Sequence, residues 1–139
     1  MIMEIYKALR KVAVKYYPKE DGFCTVIALA VHTGWSFGKA RSVMYKEHGR
    51  VDGKGSTIRA LNDAFIKYGF KVTMVSLGPY GKTLRTIQRD LAAQGGNYLV
   101  YTRGHVVAVK EGSCEDWSNN LLRPSSHPVE FLYELERIT

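Results

Sequence analysis

The feature that most constrains this chain is a change of hydrophobic period at Gly69. Before it, apolar residues recur at the spacing of a helix face, and from Phe70 onward they mostly alternate. Side chains three or four apart share one side of a helix, whereas side chains two apart share one side of a strand. The first half should therefore be helical and the second half rich in strands. This order predicts an α+β fold, with helices in the N-terminal half packed on a C-terminal antiparallel sheet.

In the helical half, Ile2, Ile5, Tyr6, Leu9, Val12, Ala13 and Tyr16 form one stripe, with Lys7, Arg10, Lys11 and Lys15 on the other face. Pro18 ends that helix. The stretch Phe23 to Thr33 is too continuously apolar for an exposed helix and reads as a buried central one, closed by Gly34. Ser36 caps a third helix running to about His48, with Phe37, Ala40, Val43, Met44 and Tyr45 on its inner face. Ser56 or Thr57 caps a fourth, with Ile58, Leu61, Ala64, Phe65 and Tyr68 inward. Strands are expected from Phe70 to Ser76, 97 to 102, 105 to 110, 113 to 118 and 129 to 135. A further helix is expected around Leu84, Ile87 and Leu91. With 139 residues, 45% of them hydrophobic, one domain spanning 1–139 suffices.

Several classes of function fall away. No apolar run is long enough for a membrane span, and the start of the chain lacks the cationic leader and apolar stretch of a secretory signal, so a cytoplasmic setting is expected. Cys24 and Cys114 are the two cysteines, and a structural disulfide is not expected between them. With four histidines they form no metal-ligand spacing, so no metal or other cofactor is expected. The glycine-rich segment from Gly49 to Ser56 lacks the spacing of a phosphate-cradling loop and reads as a flexible rim. The net charge of +7 is concentrated early: residues 1–70 carry twelve Lys and Arg against six Asp and Glu, and residues 71–139 carry eight against seven. With Tyr16, Tyr17, Trp35 and Tyr45 among those cations, nucleic acid is an alternative partner.

The residues that could carry chemistry are a cysteine, a histidine and a carboxylate. Cys24 follows Asp21-Gly22-Phe23 at the opening of the buried helix, where backbone N–H groups and the helix dipole favour a thiolate. His105 follows Gly104 at the mouth of a strand, where a general base can be held rigidly. Asp116 lies across the next turn, placed to orient the imidazole, with Asn119 as the runner-up for that role. His32, His48 and His127 are assigned to packing or the surface.

The order Cys24, His105, Asp116 resembles the papain-like fold, and the local texture is similar to small papain-like peptidase-fold proteins of bacteriophages and bacteria. The stretches that carry the resemblance are Gly22 to Gly34, the Gly49-Arg50 and Gly53-Lys54-Gly55 loop, and Gly104 to Asp116. It implies a cysteine hydrolase acting on an amide or isopeptide bond in a protein or peptide, with Cys24 as nucleophile, His105 as base and then acid, and Asp116 as orienter. Such enzymes usually carry a Gln shortly before the cysteine as an oxyanion donor. No Gln lies between Met1 and Cys24. The Cys24 N–H would supply one donor, and Lys19 is the candidate for the other. Two alternatives follow: an inactive papain-like module, phage-encoded by resemblance, that binds a host protein, and a basic nucleic-acid-binding protein. The oligomeric state is left open.

Overall fold

A computed structural model describes residues 2–16, 23–50, 56–79, 81–103, 105–115 and 128–138. Among these residues, five helices and five strands occur in the order α1 (Ile2–Tyr16), α2 (Cys24–Thr33), α3 (Phe37–Glu47), α4 (Ile58–Lys67), β1 (Phe70–Val75), α5 (Leu84–Gln94), β2 (Asn97–Thr102), β3 (His105–Lys110), β4 (Ser113–Glu115) and β5 (Val129–Arg137). The strands form one sheet in the order β1-β5-β2-β3-β4, and every described pairing is antiparallel. The α+β class and the early placement of the helices agree with the sequence reading. Among the described residues, no helix is long and apolar enough to cross a membrane.

Strands β2 and β3 are buried on both faces. On one side, α1 to α4 contribute to a core shared with Leu99, Tyr101, Val106, Ala108 and Leu135. On the other, Leu84, Ile87 and Leu91 of α5 cover Tyr98, Val100, Val107, Val109 and Leu132. Odd and even positions of β2 divide between the two cores, as the period of a strand requires. β5 enters between β1 and β2, so the last strand closes the middle of the sheet.

The central helix is buried as its composition demands. Every residue of α2 from Thr25 to His32 is buried, and it lies against β3. Val26, Ile27, Leu29 and Val31 should each contribute about 1.5–3 kcal/mol through removal of apolar surface from water. Helices α3, α4 and α5 begin at hydroxyl caps: Ser36, Thr57 and Thr83 each accept from the backbone N–H three residues on.

Elsewhere tertiary context overrides local pattern. On α1, Leu9 and Ala13 are buried while Ile5 and Val12 remain exposed. Tyr45, expected on the inner face of α3, is 52% exposed, and the Arg41 guanidinium lies 5.7 Å from its ring centroid. Trp35 is half-buried and meets Tyr68 edge-on at 4.7 Å between ring centroids. Along the edge strand β1, cover runs out: Phe70 is buried, Val72 partly so, and Met74 is exposed.

Candidate active site

The position of Cys24 is set by the residue before it. Phe23 is fully buried, with the Phe37 ring edge-on at 5.1 Å and the Arg50 guanidinium 4.7 Å from its ring centroid. Arg50 is itself buried, and its N–H donates to the Met44 carbonyl at 3.0 Å. The second residue of the segment read as a flexible rim is thus packed. Its continuation, 51–55, lies outside the described residues. Together Phe37 and Arg50 clamp the start of α2, and with it the Cys24 Cα.

Phe23 occupies the N-cap of α2 without a side-chain oxygen to accept from the first turn. The acceptor there is sulfur. The half-buried Cys24 Sγ receives the backbone N–H groups of Thr25 and Val106 and a hydrogen bond from the His105 ring. Burial by itself pushes the thiol up. The His105 hydrogen bond, the His105 positive charge and the two backbone donors outweigh burial and hold the thiol below its ordinary value. A thiolate stabilised by an imidazolium and a helix N-terminus is the reactive form of cysteine.

His105 reaches Cys24 because β3 starts beside the N-terminus of α2. It is the first residue of β3, half-buried, and its ladder partner is Thr102 at the end of β2. The Thr102 Oγ1 is buried and has no hydrogen-bond partner among the described residues. The structure therefore brings Cys24 and His105 together from opposite ends of the sequence. Asp116, Asn119 and Lys19 lie outside the described residues, as does His127. The β3–β4 hairpin is described as far as Glu115, which pairs with Ala108.

Of the other described histidines, His32 belongs to the core. His32 is buried with its Nε2 bonded to the Tyr98 carbonyl at 3.1 Å, and its ring meets Phe65 edge-on at 5.8 Å. Burial first, and then Lys110, lower its pKa to about 4 against the support of that carbonyl, so it is neutral at pH 7. His48 follows α3 as its C-cap, half-buried.

Tyr101, which feels the charge of Cys24, and its partner Asn62 were not singled out by sequence. Tyr101 is buried on β2, and its hydroxyl donates to Asn62 Oδ1 on α4 at 3.4 Å. A signal existed for Tyr101: a two-residue connection pairs Thr102 with His105 and so Tyr101 with Val106. Asn62 carried none, because its neighbours are fixed only by how α4 packs.

Among the described residues, no group of three or more His, Cys, Asp or Glu side chains is arranged to hold a metal ion. No protein-family model, curated protein sequence or solved structure matches the chain. The chemistry of the site is therefore read from its own residues.

Proposed function

We propose that this chain is a papain-like cysteine hydrolase that cleaves an amide or isopeptide bond in a protein or peptide. The observation that carries the reading is the Cys24–His105 pair: a thiol at the first position of a buried helix, hydrogen-bonded by an imidazole from a strand some eighty residues later. Structural cysteines need no such partner and are usually raised, not lowered, by burial.

In this reading the Cys24 thiolate adds to the carbonyl carbon, and the π electrons of the carbonyl move to its oxygen. Collapse of that adduct breaks the C–N bond. The His105 imidazolium gives its proton to the departing amine, leaving an acyl-thioester on Cys24. Water, deprotonated by the now neutral imidazole, then releases the acid and restores the ion pair. Asp116 is proposed to hold the imidazole tautomer. The N–H groups at the start of α2 supply positive potential where negative charge develops.

The test is a peptide library digested by the wild-type chain and by Cys24→Ala, with new termini read by mass spectrometry. New termini should appear with the wild type and be absent with Cys24→Ala. The same termini from both proteins would contradict the proposal. Retained binding of a protein target by Cys24→Ala, without any cleavage by the wild type, would favour the inactive binding module.

A further inference from the structure

A cysteine hydrolase needs a second donor for the oxyanion, and the sequence offers no Gln between Met1 and Cys24. The sheet offers another group. Tyr101 on β2 is the ladder partner of Val106, whose N–H donates to the Cys24 sulfur. Directly paired residues of antiparallel strands project from the same face, with Cβ atoms about 4.5–5.5 Å apart. Tyr101 and Val106 therefore stand side by side in the core against which Cys24 packs.

The rest of Tyr101 is held from two further elements. Its ring meets Tyr133 of β5 edge-on at 5.7 Å, and its hydroxyl donates to Asn62 Oδ1 of α4 at 3.4 Å. The residue is only 4% exposed. Burial, then Tyr133, then the negative charge of Cys24 hold the phenol above its ordinary value, so it stays a donor wherever the thiolate exists. A 3.4 Å contact with a neutral amide is long for an O–H donor, which prefers about 2.7–2.8 Å. Hydrogen bonds from hydroxyl to an anion are shorter and roughly twice as strong as neutral ones. A developing oxyanion is thus the better acceptor for this proton.

We propose that Tyr101 is a catalytic residue whose hydroxyl donates a hydrogen bond to the oxyanion formed when Cys24 attacks a carbonyl. Asn62 is a positioning residue that holds the phenol before substrate arrives. The assignment rests on the hydrolase reading of Cys24 and His105. No proton is transferred from Tyr101: the thiolate forms the S–C bond, the carbonyl π pair becomes the oxyanion, and the phenol stabilises that charge until the leaving group departs.

Two reactions of the same sulfur separate this role from a packing role. Iodoacetamide is attacked at a saturated carbon and loses iodide, so no oxyanion develops. p-Nitrophenyl acetate is attacked at its carbonyl, passes through an oxyanion, and leaves an acetyl-thioester with p-nitrophenolate released. Both rates are measured at Cys24 by peptide mapping, and their ratio cancels the thiolate fraction. Tyr101→Phe should slow acetylation by about 10² while changing alkylation less than threefold. Asn62→Ala should slow acetylation by about tenfold, again with alkylation preserved. Unchanged acetylation in Tyr101→Phe, or equal slowing of both reactions, would overturn the assignment; so would a larger loss in Asn62→Ala than in Tyr101→Phe. Wild-type Cys24 that alkylates no faster than Cys114 at pH 6 would instead defeat the hydrolase reading, and the alkylation arm alone reports it.

Discussion

The two ends of α2 belong to one ten-residue helix and are finished in opposite ways. At the C-terminal end the chain satisfies its own carbonyls. Gly34 adopts a left-handed conformation, with φ of 79°, and donates to the Ala30 carbonyl at 2.9 Å. The Thr33 hydroxyl donates to Leu29 at 2.7 Å, Lys110 to Val31 at 3.4 Å, and Arg137 to His32 and Thr33, both at 3.4 Å. The histidine there is buried and neutral. At the N-terminal end the cap is Phe23, and the acceptor is a thiol held by a second histidine. A helix end closed by glycine, hydroxyl and cation serves stability. One closed by an ionisable sulfur keeps its potential available for chemistry.

The largest effect expected from this contrast is on stability at the C-terminal end. His32 titrates at about 4 when folded, against an ordinary value of 6.5. Between those values the unfolded chain binds a proton that the folded chain does not, so this site loses stability as pH falls. Above 6.5 neither state is protonated there, and below about 4 both are. The loss across that window is roughly 3 kcal/mol. His32→Gln, which keeps a donor toward the Tyr98 carbonyl without titrating, should flatten that part of a pH series of urea unfolding curves. An unchanged slope would mean that His32 is not the group responsible.

At the other end, His105→Ala should slow Cys24 alkylation at pH 6 at least severalfold, because it removes both the hydrogen bond and the positive charge that hold the thiol below its ordinary value. His32→Gln should leave that rate alone. Equal effects of the two substitutions would erase the distinction between the histidines.

Backbone finishing is worth less. Gly34→Ala places a Cβ where nothing lies within 4 Å, so its cost is the left-handed conformation alone, about 1–2 kcal/mol. Removing an ordinary cap is of similar or smaller size: Thr57→Ala should cost about 1 kcal/mol in chemical denaturation. Neither should change Cys24 reactivity. A tenfold loss of reactivity in Thr57→Ala would show that the capped and sulfur-closed helix starts are coupled.

Legibility in the sequence followed the range of the forces involved. The buried helix, its Gly34 stop, the Ser36 cap and the bounds of β2 and β3 could be read locally, because apolar period, capping chemistry and a two-residue turn act over a few positions. Cys24 and His105 could be nominated by the chemistry of a helix start and a strand mouth. The insertion of β5 between β1 and β2 could not, since no local pattern encodes strand order. The burial of Arg50 over Phe23 and the exposure of Tyr45 and Met74 likewise depend on which surface a neighbour covers. The Tyr101–Asn62 contact joins residues 39 positions apart and emerges only when α4 packs near β2.

The central claim is that His105 and the start of α2 ionise Cys24, and the pH dependence of its alkylation tests this most directly. Iodoacetamide labelling of the folded protein, resolved by peptide mass spectrometry from about pH 5 to 9, gives a rate profile for each cysteine. The Cys24 profile should rise at lower pH than that of Cys114, leaving Cys24 the faster thiol at pH 6. A Cys24 profile that rises only in the ordinary thiol range, or lies at or below that of Cys114 at pH 6, would contradict the account.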